Sequence, residues 1–600
     1  MIVYGDPQFE ITLDELLAHL VQQVDCGSGD PLDSARALLI QAGQLEQALA
    51  DGFDSDAHAR STISIVKNIS DLAAASFYSI WAARQTCSPP PLIAPTHDTI
   101  RAELRGLSGN AVSTLRVKVP EGFEFYALYP EQYCASALHW AAEHSWANSK
   151  RVAAIGIRSI GTSLSALVAA TLRAAGWRAH RFTVRPTGDP FHRETKINPG
   201  ELSGADWALV VDEGPGLSGS SMAAVAQALA AAGFKSDRIA FMPGHDGPPG
   251  TAASKATREI WTSTPRYFSP LDQLRWGGIS LEESLLVKCA ELCPDDGSWT
   301  RIEDLGGGLW RKWFWSNEAD WPAVPITFER PKYLCTSPSG KSFLWKFIGL
   351  GALAERPPAA DSAQHDSRTR SAEFGPIAHF RGFMARPWVQ GQPLSRLDAK
   401  TPEVLQHVAV LVAGSDGRTI SGQEIKDGIE RLAPLLHYNT KEALGSGMSA
   451  IAEQWTEAAR KAAASVDAGV RMPCSLGGSF APHEWIRDRQ GRILRPGARE
   501  RGPDHTIVGK QSRIWDVASV INEWELDRAE EEHFLGTIAT ADLRLDATLL
   551  RFHRLAHAAF RMGQAHLCAK LPSLDLPEQE RLRSASGRYR EQLARLLTDE

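Results

Sequence analysis

Apolar residues recur at three- and four-residue spacing in LDELLAHLVQQV (13–24) and DSARALLIQAGQLEQALADG (33–52). That period predicts helices over residues 1 to about 95. The proline-rich CSPPPLIAPT, Cys87–Thr96, breaks the pattern and marks a boundary. From about 96 to 275 the pattern alternates. RVAAIGI, RAHRFTV, WALVVDE and RIAFMPG read as strands; SLSALVAATLRAAG and SSMAAVAQALAAAG read as helices. Such alternation implies βαβ units on a parallel sheet, where ligands sit beyond the carboxyl ends of the strands. The texture changes after 275. PKYLCTSPSGKSFLWKF predicts a hairpin around SPSG, and the polar Arg356–Glu373 predicts a mobile loop. The remainder reads as mostly helical, with no internal repeat. The expected fold class is α/β in three parts: a helical region 1–95, a parallel-sheet domain 96–275, and an α+β, mostly helical domain 276–600.

Bulk properties narrow the function classes. The 600 residues are 43% hydrophobic and 22% charged, as in globular proteins. A net charge of -7 gives no reason to expect nucleic acid as a partner. The N-terminus lacks a basic region before an apolar core, so it is not read as a signal peptide. No apolar run of about 20 residues predicts a membrane span. Eight cysteines, with Cys289 and Cys293 the closest pair, predict buried reduced thiols rather than a zinc site or disulfide framework. A cytoplasmic location is expected.

The most informative stretch is ALVVDEGPGLSGSSMAAVAQ, Ala208–Gln227. An apolar strand ends in Asp212 and Glu213, whose carboxylates can accept hydrogen bonds from vicinal hydroxyls such as those of a ribose. Small residues follow, so backbone can approach a ligand closely. Amides of the loop and the start of the next helix favour an anion, and Ser218, Ser220 and Ser221 add hydroxyls. The combination suits a ribose 5-phosphate. LVVDEGPGLSGSS resembles the signature of type I phosphoribosyltransferases, over residues about 120–275. The loop is about one residue longer than that family's, with Pro215 inside it.

That resemblance implies roles for further residues. Arg158, Gly161, Thr162 and Ser163 in AIGIRSIGTSLSA match the loop that holds pyrophosphate; a plain helix start is the alternative. Arg185, His192, Arg193 and Lys196 in RPTGDPFHRETK fall where the family carries a hood, Arg185 and Lys196 as catalytic cations. A solvated loop is the alternative. Gly216, Ser218, Gly219, Ser220 and Ser221 would hold the 5-phosphate, and Asp212 and Glu213 the ribose. Phosphoribosyl pyrophosphate is the implied substrate and Mg²⁺ the implied cofactor, with no protein metal ligand assigned.

A second resemblance covers about 325–560. Lys346 sits on a strand before Gly-Leu-Gly. GFMARPWVQGQPL, LGGSFAPHEWIRDRQGRILRPGA and WDVASVINEW follow in order. This looks like the aminoglycoside-phosphotransferase branch of the kinase fold, and implies ATP as a ligand with Lys346 on the nucleotide. Two departures imply weak or absent phosphotransfer. Gly477 or Gly478 stands in the place of the catalytic aspartate and Gly497 in that of the metal aspartate. Glu484 falls near the asparagine position, and Asp516 matches a structural acid. Trp310, Trp313, Trp315 and Trp321 read as core or interface, and His245 either as a residue bordering the site or as a turn histidine. Three readings stay open: a phosphoribosyltransferase with a degenerate kinase-like domain, a non-catalytic sensor of ribosyl phosphates or nucleotides, and an active small-molecule kinase in the C-terminal half.

Overall fold

The computed structural model describes all residues except 26–29, 53–56, 86–96, 108–113, 148–149, 352–374, 415–417, 467–470, 497–504, 541–542, 544 and 599–600. The predicted boundary Cys87–Thr96, the predicted loop Arg356–Glu373 and Gly497 lie outside the described residues.

A short strand, β1 (Gln8–Ile11), pairs antiparallel with β2 (Leu115–Lys118). Four helices intervene: α1 (Leu13–Asp25), α2 (Pro31–Gly52), α3 (Ala57–Ala82) and α4 (His97–Leu107). The apolar stripe of α1 packs inward as its period requires, through Leu13, Leu16, Leu17 and Leu20. Helix α2 departs from a one-sided pattern: nearly every residue from Leu32 to Leu49 is buried, including Arg36, Gln44, Glu46 and Gln47. Such polar groups need internal partners. Arg36 bonds Glu131, and Gln44 donates to the carbonyl of Lys118. Glu46 accepts from Arg181 at 2.7 and 2.9 Å. The N-terminal helices are therefore bound into the rest of the chain.

After α5 (Glu121–Glu124) and α6 (Pro130–Glu143) come the parallel strands β3 (Arg151–Ile157), β4 (Arg178–Val184), β7 (Trp207–Val211) and β8 (Ile239–Met242), in sheet order β4-β3-β7-β8. Between β4 and β7 lies a small hairpin, β5 (Thr187–Asp189) and β6 (His192–Glu194). The central strands are buried on both faces, which explains their unbroken apolar runs. Val152, Ala154, Leu209 and Val211 face one core, with α7 (Ile160–Ala174). Ala153, Ile155, Val210 and Phe241 face another, with α8 (Ser220–Ala231) and α9 (Lys255–Ser263). Chain order reverses between β3 and β7, so the loops after these two strands meet at a switch point.

Beyond α10 (Leu281–Leu292) lies a five-stranded antiparallel sheet of order β12-β13-β11-β10-β9. Its strands are β9 (Arg301–Asp304), β10 (Lys332–Thr336), β11 (Ser342–Phe347), β12 (Ala378–Phe380) and β13 (Phe383–Pro387). The predicted hairpin is β10–β11. Alternation along β11 divides its duties. Phe343, Trp345 and Phe347 enter the same core as α7 of the parallel-sheet region. Leu344 lies on the other face with Leu305 and Leu334, beside Trp310 and Trp388. The boundary expected near 275 is therefore no break in packing: one core runs across it. Among the described residues seven helices follow, α11 (Pro402–Ala413), α12 (Gly422–Leu444), α13 (Ser446–Ala464), α14 (Ile514–Glu523), α15 (Arg528–Thr540), α16 (Ala547–Cys568) and α17 (Leu576–Thr598). Their core also includes Val3. The N-terminal segment docks there: Gly5 N donates to His505 O and Ile507 N to Val3 O. No described helix is long and apolar enough to cross a membrane. The six described cysteines are free, and all but Cys293 are buried.

Candidate functional site

The acid pair stands where β7 ends, at the switch point. Glu213 Oε2 accepts from the Gly122 amide at 2.9 Å. The backbone carbonyl of Asp212 accepts from Tyr133 Oη at 2.7 Å. Burial pushes the Asp212 carboxyl well above the usual range, and Glu213 beside it adds to the effect. Burial raises Glu213 as well. It also raises Glu121, where Glu213 is the next cause. Among the described residues no cation forms an ion pair with Asp212 or Glu213. Three carboxyl groups thus gather with little compensation, at a cost in stability.

Gly214, Gly216 and Gly219 of the following loop have φ of 149°, 53° and 65°. At Gly219 a Cβ would also press on Thr257 and Pro249 at 3.0–3.2 Å. The hydroxyls of Ser218 and Ser220 both reach the carbonyl of Pro190, at 3.1 and 2.8 Å. The turn of hairpin β5–β6 is therefore bonded to this loop. Ser221 is half-buried at the start of α8, and Gly216 is exposed.

The other predicted phosphate residues are placed differently. Thr162 and Ser163 are 0% and 2% exposed. They face protein because α2 covers the start of α7: a Cβ at Gly43 would meet Ser163 at 2.6 Å. Gly161 is pressed against β7, with 2.5 Å from its Cβ position to Val211 O. Arg158 and Arg185 both bind Asp51 of α2, and Arg185 also donates to Arg158 O at 2.7 Å. Burial works against the Asp51 charge, but the hydrogen bonds from these arginines hold its carboxyl below the usual range. The two cations expected to meet pyrophosphate are neutralised by a residue more than a hundred positions upstream. Lys196 is exposed beyond the hairpin. His245 lies against Gly214, 2.8 Å from its Cβ position, and burial lowers its pKa. Asp51 and Glu121 were not singled out from the sequence; nothing in their local patterns marks them.

A second site lies in the C-terminal half. A cleft of about 1320 Å³ separates the antiparallel sheet from the helices. Lys346, Arg386 and Trp388 line it from the sheet, and Ser475–Ser479 and Glu484 from the opposite side. Lys346 lies between Lys332 and Met384 in register. Opposite, Gly477, Gly478 and Phe480 have φ of 77°, 89° and 55°, a tightly wound loop. Asp516 holds it from behind: its carboxylate accepts from Leu476 N at 2.6 Å and from Ser475 Oγ, and pairs with Arg513 at 3.3 Å. Burial raises Asp516 and Arg513 opposes the shift. Glu484 accepts from Ser479 Oγ at 2.7 Å and from Arg495 at 3.1 Å. Arg495 also donates to Gly477 O at 3.0 Å and stacks on Phe480. This guanidinium, two residues before Gly497, was missed; its only sequence signal is its place in ILRPGA. The segment Gly5–Ile11 closes one side of the cleft, which no local pattern foretold. Trp310 stacks on His483 and Trp388 on Phe314, so two of the tryptophan-rich segment's partners are cleft walls. Among the described residues no group of three or more His, Cys, Asp or Glu forms a metal site.

No family model matches the chain, and no curated protein sequence matches it. Among solved structures, choline kinase LicA from Streptococcus pneumoniae is 14% identical, covering 53% of this chain and 99% of its own, with a TM-score of 0.34. A choline/ethanolamine kinase family protein from Mesorhizobium loti is 13% identical over 52% and 97%, at 0.31. A thermostable mutant of aminoglycoside phosphotransferase APH(4)-Ia is 14% identical over 53% and 100%, at 0.32. The phosphoribosyltransferase resemblance draws no support from these.

Proposed function

We propose that the chain is a nucleotide-binding protein whose C-terminal cleft takes ATP, with Lys346 toward the phosphates. The observation that carries this reading is the placing of Lys346 and the loop Ser475–Ser479 on opposite walls of one cleft. Kinase-type transfer needs carboxylates to place magnesium and orient the acceptor. Glycines occupy 477 and 478, and Glu484 is already engaged by Arg495. The cleft is therefore read as binding nucleotide without ordinary transfer. Calorimetry of the full chain should show ATP binding that Lys346→Ala weakens, with turnover below about one per second, the lower edge for kinases. Absence of ATP binding rejects the reading; faster turnover that Lys346→Ala abolishes makes the chain a working kinase.

The hairpin held down on the Ser218–Ser220 loop beside Asp212 and Glu213 favours a second reading, of ribosyl phosphate binding at the parallel sheet. Mg²⁺ fits here only as the phosphates' companion, since it needs few protein carboxylates when phosphate supplies oxygens. With Arg158 and Arg185 held by Asp51, binding is favoured over pyrophosphate release. Phosphoribosyl pyrophosphate with Mg²⁺ should bind without releasing pyrophosphate to any base offered.

A further inference from the structure

The strand that carries Lys346 ends against the other module. Three residues past Lys346, Gly349 adopts a φ of 114°, and its Cβ position lies 2.5 Å from a carboxylate oxygen of Glu124. The next amide, Leu350 N, donates to Phe123 O at 3.1 Å. Gln41 of α2 donates to Gly351 O at 3.0 Å. Arg330, which lines the cleft, donates to Glu124 O at 3.0 Å and lies 3.9 Å from its carboxylate. Glu124 is 3% exposed and Phe123 fully buried. Except for Gln41, these contacts converge on α5. Its other side faces the acid pair, where the Gly122 amide bonds Glu213. Immediately before it, Val119 N donates to Pro7 O, and both residues line the cleft.

We propose that α5 is the positioning element of the nucleotide cleft, with Glu124 fixing the end of the Lys346 strand, and that it ties this cleft to the acid pair through Gly122. The inference rests on the reading of the cleft as a nucleotide site. Its physical basis is rigidity. Past the end of the β11 ladder, Ile348 N donates to Gly382 O at 2.8 Å and Gln41 holds Gly351, and the residues between, Gly349 and Leu350, are held by a buried helix one turn long. A group acting on Lys346 affects the phosphates of a nucleotide, not its base. The carboxylate of Glu124 contributes by charge to Arg330 and by shape to Gly349, so Glu124→Gln retains the shape and removes the charge.

The experiment compares ATP and adenosine binding to the full chain and to Glu124→Gln. Loss of a buried charged contact should weaken ATP about tenfold, leaving adenosine within about twofold. Equal weakening of both ligands, or of neither, overturns the positioning role. If the wild type binds adenosine but gains nothing from the phosphates, the assignment of Lys346 fails rather than that of Glu124. Amide exchange decides without relying on affinity. In ligand-free Glu124→Gln the Leu350 amide should exchange faster than in the wild type, and unchanged exchange overturns the inference. If that variant does not fold, saturating ATP on the wild type should slow exchange at Leu350 and Gly122, and no change at either overturns it.

Discussion

Asp212 is held in a state that a free aspartate avoids. Burial, then the neighbouring Glu213, push its carboxyl upward. In the folded chain it therefore keeps a proton over a pH range in which the unfolded chain has released it. Stability from this group is full below the ordinary aspartate value and is lost as pH rises toward the raised one. Asparagine keeps the shape and has no charge to bury. Asp212→Asn should therefore raise the melting midpoint by a few degrees at neutral pH. The gain should shrink as pH falls and vanish near the ordinary aspartate value of about 4. Thermal melts of both proteins across that range check it. A gain independent of pH would mean that the charge of Asp212 costs nothing. On the ribosyl phosphate reading, the same variant should also weaken binding of phosphoribosyl pyrophosphate, because it removes a charged acceptor. The acid pair was legible because an apolar run followed by two acids fits few places other than a strand's end. Asp51 and Glu121 were not, because their importance arises only from groups that the fold brings beside them.

Hairpin β5–β6 shows what local sequence can convey about an element. Breakers and charges in RPTGDPFHRETK marked a polar surface segment, and a two-stranded hairpin stands there against the Ser218–Ser220 loop. Its latch was invisible, being a backbone carbonyl at Pro190 that takes hydroxyls from Ser218 and Ser220. Hydrogen bonds of this kind are worth about 0.5–1.5 kcal/mol each. Removing both in Ser218→Ala with Ser220→Ala should raise the open population by roughly tenfold. Trypsin should then cut at Arg193 or Lys196 correspondingly faster, and phosphoribosyl pyrophosphate should protect less. Cleavage at the wild-type rate would show that the hairpin is held by other contacts. Helix α7 gives the converse lesson. Its start reads as a phosphate loop in IGTSL, yet Thr162 and Ser163 are turned into protein by α2. A small-residue helix start permits either a ligand or another helix, and only packing chooses.

At the scale of the molecule, the three regions expected from sequence texture are joined by more than linkers. The parallel sheet was legible from alternating strand and helix patterns, and the β10–β11 hairpin from its turn. The joining of the halves was not legible, because residues that serve one core or two are equally apolar. Phe343, Trp345 and Phe347 read as an ordinary buried strand face; the structure places them in one core with Leu164 and Trp276. Arg181 pins the edge strand β4 to α2 and α3 through Glu46 and Asp71. At the far end, Val3 packs among the C-terminal helices. A chain cut after residue 275 would leave residues 276–600 with the aromatic face of β11 and β13 covered only by α10 and Trp299, stripped of its packing against α7, and without Val3. Full burial of each such side chain contributes about 1.5–3 kcal/mol, so partial exposure of four of them removes a large share of a typical domain's stability. The fragment 276–600 should bind a hydrophobic dye or aggregate. The intact chain should unfold in a single calorimetric transition spanning both halves. A soluble, monomeric fragment that melts where the intact chain does would show that the shared core adds no stability, and that the halves are independent domains.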